Sequence, residues 1–276
     1  MPQFPSPDSY IDAHCHLSLP SLQAGVAGLF QRAEEKNVRA FLLAGLGPED
    51  WTEQKNFCAQ YAKKDRAIYP CFGLHPYWVA EHSRENCEKA LAILASSLAE
   101  SLAMGEMGLD YREEILAKGS GGREQQRHFF QAQLTLALQK DKVPVLHLVR
   151  CHDEALRILK PLAASMRPAL VHAFNSGPTQ AEAYLNLGFM LSVGGPLLRA
   201  NNRALQETVK MVPMRQLLVE SDSPDQAPPQ LKGQNNEPWT ILLVAERIAE
   251  LKGLPIEEVL GATQKNFQRL FAKELL

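Results

Sequence analysis

The chain contains no Cys-x-x-Cys pair. Its five cysteines, Cys15, Cys58, Cys71, Cys87 and Cys151, form an odd, scattered set. That argues against a disulfide framework and a structural zinc site, and leaves reduced thiols that mostly fill core. No apolar run approaches the roughly 20 residues needed to span a bilayer. The opening stretch Met1 to Asp8 has neither a basic n-region nor an apolar h-region, so the expectation is a cytoplasmic protein without a membrane segment. A large excess of charge of one sign is also missing: the formal net charge is −2 and the pI is near 6.5. A broad basic footprint for duplex nucleic acid or an anionic membrane is therefore lacking, and any nucleic-acid contact has to be local. Repeats, low-complexity segments and a heptad seam are absent as well. What remains is 276 residues at 45% hydrophobic and 22% charged content, enough to bury a substantial core, with residues 1–276 expected to form a single domain.

Against that background the most informative feature is His14-x-His16, directly after Tyr10-Ile11-Asp12-Ala13. A strand projects alternate residues to one side, so both imidazoles can face one metal, while Cys15 between them faces the helix layer. Taken alone, the pair is a weak signal, since a histidine near a strand end is more often a satisfied polar residue than a ligand. Other apolar runs, however, also end in a carboxylate or imidazole: Glu106 after Leu102 to Gly105, His147 after Val143 to Leu146, His172 after Ala169 to Val171, and Asp222 after Leu217 to Ser221. Such continuous apolar runs suit short parallel strands covered on both faces by helices.

Strand candidates alternate with helical patterns along the whole chain. Strands at Tyr10, Ala40–Leu43, Ala67–Cys71, Glu106, His147, His172, Phe189–Ser192 and Asp222 are separated by helical stretches at Val26–Lys36, Thr52–Lys63, Glu85–Glu100, Arg123–Lys140, Cys151–Leu159, Thr179–Leu187 and Asn202–Met211. Helices at Pro238–Leu251 and Pro255–Leu275 follow. This alternation implies parallel strands with right-handed crossovers and fits an α/β fold of the (β/α)8 TIM-barrel type, with an open doubly wound sheet as the competitor. In a barrel, His14, His16, Glu106, His147, His172 and Asp222 all fall at carboxyl strand ends, where sites are built. Four histidines and two carboxylates exceed the needs of one tetrahedral ion, whereas two ions sharing a bridging carboxylate use them all.

The segments Ile11-Asp12-Ala13-His14-Cys15-His16, Gly73-Leu74-His75-Pro76, Gly105-Glu106-Met107-Gly108-Leu109-Asp110, Pro144-Val145-Leu146-His147, Val171-His172-Ala173-Phe174, Glu220-Ser221-Asp222-Ser223-Pro224 and Asn236-Glu237-Pro238 together resemble the ordered motifs of the TatD family of metal-dependent hydrolases and deoxyribonucleases. The resemblance runs from about Tyr10 to the carboxyl terminus. It implies that His14, His16 and Asp222 hold one divalent metal ion, that His147 and His172 hold another, and that Glu106 bridges the two. Asp222 would double as general base toward the attacking water, and His75 would face the substrate phosphate, although judged alone His75 reads as a turn residue before Pro76. Mixed imidazole and carboxylate ligation suits zinc, manganese or iron, and magnesium can serve where phosphate oxygens complete the shell.

Around this set, Tyr77 and Trp78 could stack a base or simply pack the barrel rim. Tyr111 and Arg112 could reach the mouth, the arginine as a phosphate partner, or could lie in a solvated loop. His82, His128 and His152 are expected at surfaces or helix ends. Gly194-Gly195-Pro196 is expected to make a tight turn that admits substrate to the backbone. The chain also departs from its relatives: Leu148 and Val149 stand where many carry Ser-Arg, with Arg150 one step later, and Asn235 stands where an arginine often precedes the Asn-Glu-Pro motif.

Two catalytic expectations follow. One is metal-dependent exonucleolytic hydrolysis of phosphodiester bonds at single-stranded or short DNA ends. The other is hydrolysis of an amide, lactone or aminoacyl ester at the same centre, as in amidohydrolase-like barrels. The lack of a lysine at a ligand-bearing strand end favours the Glu106 bridge. A non-catalytic barrel would not need six ionisable groups at strand ends, where each costs desolvation unless paired or metal-bound.

Overall fold

The computed structural model of the protein describes residue 4 and residues 9–119 and 121–275; apart from Phe4, the opening stretch Met1 to Asp8 lies outside them. The elements alternate as the sequence pattern requires: β1 (Tyr10–Cys15), α1 (Val26–Glu34), β2 (Val38–Leu43), α2 (Pro48–Tyr61), β3 (Ala67–Tyr69), β4 (Cys71–Phe72), α3 (Pro76–Glu81), α4 (Arg84–Ser97), β5 (Ala103–Asp110), α5 (Glu113–Leu116) and α6 (Gly122–Gln139). They continue with β6 (Pro144–Val149), α7 (His152–Leu159), β7 (Leu170–Val171), α8 (Pro178–Leu185), β8 (Met190–Val193), α9 (Arg203–Met211), β9 (Leu217–Val219), α10 (Ile241–Lys252), α11 (Ile256–Leu270) and α12 (Ala272–Leu275).

All paired strands are parallel, in the orders β1-β2-β3 and β4-β5-β6-β7-β8-β9. The expected third strand, Ala67 to Cys71, is interrupted at Pro70. Proline has no N–H to give the ladder, but its carbonyl still accepts from Leu102 N at 2.8 Å, so β3 and β4 act as one stave. The ring closes where Asp222 N donates to His14 O (3.0 Å) and His16 N to Ser223 O (2.7 Å). The result is an eight-staved (β/α)8 barrel of the TIM type, and the closing bonds lie at the residues singled out as ligands.

Two apolar clusters hold the barrel. The larger lies between strands and helices and includes Cys15, Phe41, Leu43, Phe129 and Phe130. The smaller gathers Ile11, Ala40, Ala67, Tyr69, Ala103, Val145, Leu170, Met190 and Leu218 with Phe267, Leu270 and Phe271. Residues from every stave can meet only inside the barrel, so this second cluster fills its amino end. Two short helices occupy stretches whose sequence pattern shows no helix: α3, whose N-cap is His75, and α5. Gly195 makes the turn expected of it, in a 3-10 segment, yet the backbone it admits is the protein's own: a Cβ there would stand 2.0 Å from the Gln226 carbonyl oxygen. Among the described residues no helix is long and apolar enough to cross a membrane.

Candidate metal centre

His14 and His16 project from the end of β1 into the same space as Asp222, which follows β9 in a left-handed conformation (φ 57°). His14 Nε2 stands 3.4 Å from Glu106 Oε1 and 3.7 Å from Asp222 Oδ1, and His16 Nε2 stands 3.4 and 3.5 Å from the same two oxygens. Ligands about 2.0–2.2 Å from one tetrahedral ion lie about 3.3–3.6 Å apart, and these four spacings come close to the edges of such a shell. His14 Nε2, Glu106 Oε1 and Asp222 Oδ1 are all buried without a hydrogen-bond partner. Buried polar atoms are otherwise almost always satisfied, and a shared cation satisfies all three at once.

The other Glu106 oxygen faces a second group. Oε2 lies 2.7 Å from His172 Nε2 and 3.3 Å from His147 Nδ1, and these two nitrogens are 3.0 Å apart. The carboxylate thus turns one oxygen to each group, and the His14 and His172 rings stack at 3.9 Å between them. The donor chemistry of both groups, imidazole and carboxylate, fits zinc, manganese or iron.

His75 also converges here, with Nε2 3.3 Å from His147 Nδ1 and 3.6 Å from Glu106 Oε2. By proximity it groups with them as a metal-holding set, but its hydrogen bonding says otherwise. Tyr77 N donates to His75 Nδ1 at 3.0 Å as part of the α3 cap. Because that nitrogen accepts, the neutral ring carries its proton on Nε2 and presents an N–H, not a lone pair, to the site. His147 is fixed in the opposite sense: Nε2 lies 3.0 Å from Asp110 Oδ2, which leaves the Nδ1 lone pair facing Glu106 and His172.

The carboxylates behind the imidazoles escaped the reading of the sequence. Asp110 backs His147 and is itself gripped by Arg112 (Nη2 to Oδ2, 2.7 Å). Glu220 accepts from Ala173 N at 2.6 Å and from Ser192 Oγ, and its Oε1 lies 3.7 Å from His172 Nδ1. Asp12 accepts from Ser221 N at 2.8 Å and ties β1 to the last stave. Each was visible only as a letter inside a motif; an acidic residue two positions before, or four after, a strand-end ligand was the signal to be had.

Electrostatics follow from this crowding. Burial opposes ionisation of Glu106, but His172, His14 and His75 around it hold its carboxyl well below the usual range. Burial likewise works against Asp222, which the nearby His16, His14 and His172 imidazoles nonetheless hold low. For His16, burial favours the neutral ring, but Asp222 and Glu106 outweigh it and push the imidazole up to about 9. His172 is raised in the same way by Glu106 and Glu220 against its burial. Burial alone dominates at His75, which is pushed well below its ordinary value, and at Asp12, which is raised to about 8.

His16, Glu106, His147, His172 and Asp222 line a cleft of about 780 Å3 whose walls also include His75, Tyr77, Arg112, Leu148, Val149 and His152. Tyr77 stands edge-on to His75, with the Arg112 guanidinium 5.3 Å from its ring. Tyr111 is not brought to the cleft: it is buried, and its hydroxyl donates to Glu154 Oε2 at 2.7 Å. Trp78 stacks on His82 outside the cleft, and His128 is exposed on α6. His152 does reach the wall, hydrogen-bonded to the Tyr184 hydroxyl at 3.0 Å.

A parallel eight-stave barrel with histidine and carboxylate donors gathered at its carboxyl end defines a metal-dependent hydrolase. The chain belongs to the TatD related DNase family, which it matches over residues 11–272. It is similar to the uncharacterized metal-dependent hydrolase YjjV of Escherichia coli K12, at 30% identity over 264 residues, 95% of this chain and 97% of that protein. It is similar also to the deoxyribonuclease TATDN3 of Homo sapiens, at 29% over 269 residues, 95% and 94% of the two chains. The crystal structure of E. coli YJJV, a TatD homolog, superposes with a TM-score of 0.84 at 27% identity, covering 97% of this chain and 99% of that one.

Proposed function

We propose that the protein is a divalent-metal phosphodiesterase that removes nucleotides from the end of single-stranded or short DNA. The observation that carries this reading is the Glu106 carboxylate, with one oxygen toward His14, His16 and Asp222 and the other toward His147 and His172. These residues would hold two zinc, manganese or magnesium ions, which would supply Lewis acidity and a water of lowered pKa. Asp222 accepts a proton from the attacking water; its Oδ2 is steadied by Gln226 Nε2 at 2.5 Å. His75 donates its Nε2–H to a phosphate oxygen, and Tyr77 offers a base an aromatic edge or face at the cleft wall. Arg112, tied to Asp110, steadies His147 and lends positive charge to the same wall. The name of the human relative supports a DNA substrate, and the near-neutral chain favours a short strand, since many phosphate contacts need many basic residues.

The test is release of nucleotides from 3′- or 5′-labelled single-stranded DNA by metal-stripped protein titrated with magnesium, manganese or zinc, with Asp222→Asn alongside. Metal-dependent release that Asp222→Asn abolishes is the expected result, and the label shows which end is attacked. Folded, metal-loaded protein that releases nothing yet hydrolyses an amide, lactone or aminoacyl ester overturns the phosphodiesterase reading.

A further inference from the structure

Arg150 and Arg199 line the same cleft as the metal centre, both are exposed, and among the described residues neither guanidinium has an ion pair or hydrogen bond. Unpaired arginines occur elsewhere on the surface, Arg157 and Arg203 among them; what sets these two apart is how they are held. Arg150 sits between β6 and α7 at φ 55°, a left-handed conformation that residues with a side chain rarely adopt. Backbone strain of this kind persists where surrounding structure enforces it, often at binding sites. Arg199 has an anchored backbone and a free side chain: its N–H donates to Pro196 O at 3.3 Å, and its carbonyl accepts from Asn202 N (3.0 Å) and Gln206 Nε2 (3.2 Å).

The strand order brings the pair together. β6 and β8 flank β7, so the loops that carry Arg150 and Arg199 start about 10 Å apart, two strand spacings. That gap is within the combined reach of two extended arginine side chains over the β7 loop. Asn175 on that loop also lines the cleft; its Oδ1 is taken by Asn202 Nδ2 at 2.8 Å, which leaves its own Nδ2 to donate. Arg112, by contrast, is already matched to Asp110.

We propose that Arg150, Arg199 and Asn175 form a second anion subsite, beside His172, that holds a phosphate other than the one being hydrolysed. The inference rests on the phosphodiesterase reading and adds to it the substrate class: a strand end with a second phosphate near the scissile linkage. Either a terminal phosphomonoester or the next internal phosphodiester has the required chemistry. Arginine forks recognise both, bidentately where geometry allows.

The experiment compares kcat/KM on a dinucleoside monophosphate, the same dinucleotide with a terminal phosphate, and a trinucleoside diphosphate, for wild type, Arg150→Gln, Arg199→Gln and the double variant. The expected result is that wild type gains about tenfold or more from the second phosphate, mainly in KM, and that this ratio falls to near one in the double variant. The salt slope should fall with it by about 0.7 for each phosphate no longer neutralised by an arginine. A gain from the phosphorylated dinucleotide alone identifies a terminal phosphate, and a gain from the trinucleotide alone identifies an internal one. Wild type that cleaves all three equally, or a double variant that keeps the full ratio, overturns the subsite while leaving the phosphodiesterase reading intact. Wild type that cleaves none of them and also releases nothing from labelled single-stranded DNA rejects both.

Discussion

At the amino end of the barrel, Val145, Leu170, Ile11 and Leu218 meet Phe267, Leu270 and Phe271 in an apolar cluster. Two residues further along β6 and just past β7, on the same side of the chain, stand His147 and His172, facing Glu106. The staves are shared, and the energetics are opposite. Each apolar side chain buried at the lower end contributes about 25 cal/mol per Å2, whereas each imidazole or carboxylate buried at the upper end costs desolvation until a partner answers it. The lower end therefore supplies stability that holds the upper end in place, and at the upper end His14 Nε2, Glu106 Oε1 and Asp222 Oδ1 stand together without hydrogen-bond partners, open to a shared ligand.

The sharpest way to break this division is Glu106→Gln. It removes the charge common to both donor groups and should lower activity by about 10³-fold or more, on the scale of removing an essential charge-stabilising group, with metal content falling while folding is kept. Metal analysis and a melting curve on the same sample check it. Phe267→Ala acts from the other side: the cavity should cost about 3–5 kcal/mol in denaturant unfolding, with metal stoichiometry unchanged in the protein that remains folded. If Phe267→Ala instead strips the metal selectively, the two ends are not separable.

Asp110→Asn should weaken metal affinity about 10–100-fold, as expected when the partner that orients a ligating histidine is removed; a competing chelator measures it. Proton competition gives a further readout. Without metal, His16 with its value near 9 is protonated at neutral pH, so metal has to displace that proton. Apparent affinity should rise about tenfold per pH unit up to about 9 for this one proton. In the metal-free protein the sign reverses for stability: the charged His16 contribution is complete below about pH 6.5 and is lost as pH rises through about 9. Tyr111→Phe should have the smallest effect, about 0.5–1.5 kcal/mol for the missing bond to Glu154, with kcat/KM within twofold. A large fall in KM-dependent turnover would return Tyr111 to the cleft.

Much of this was legible before any coordinates. The apolar runs marked the staves, and their polar ends marked the donors, because parallel strands covered on both faces leave room for polar side chains only where they emerge. Pro70 looked compatible with one continuous strand, and only the ladder shows it splitting into β3 and β4. His75 before Pro76 suited a turn, and only the α3 cap reveals that its Nδ1 is an acceptor. Tyr111 and Arg112 are neighbours in sequence, yet one packs against α7 through Glu154 and the other faces the cleft.

By itself the sequence determined which residues can be donors and in what order the staves carry them, since composition and periodicity are local properties of the chain. Which way those donors face was decided by tertiary structure. Strict alternation from Ile11 and Ala13, which lie in the interior cluster, would send His14 outward, and alternation from Ala103 would do the same to Glu106. The register is irregular between Asp12 and Cys15 in β1 and between Met104 and Met107 in β5. An irregularity of one residue in a period of two reverses the face of everything beyond it. His14, His16 and Glu106 point into the barrel because neighbouring strands, not their own sequence, set that register.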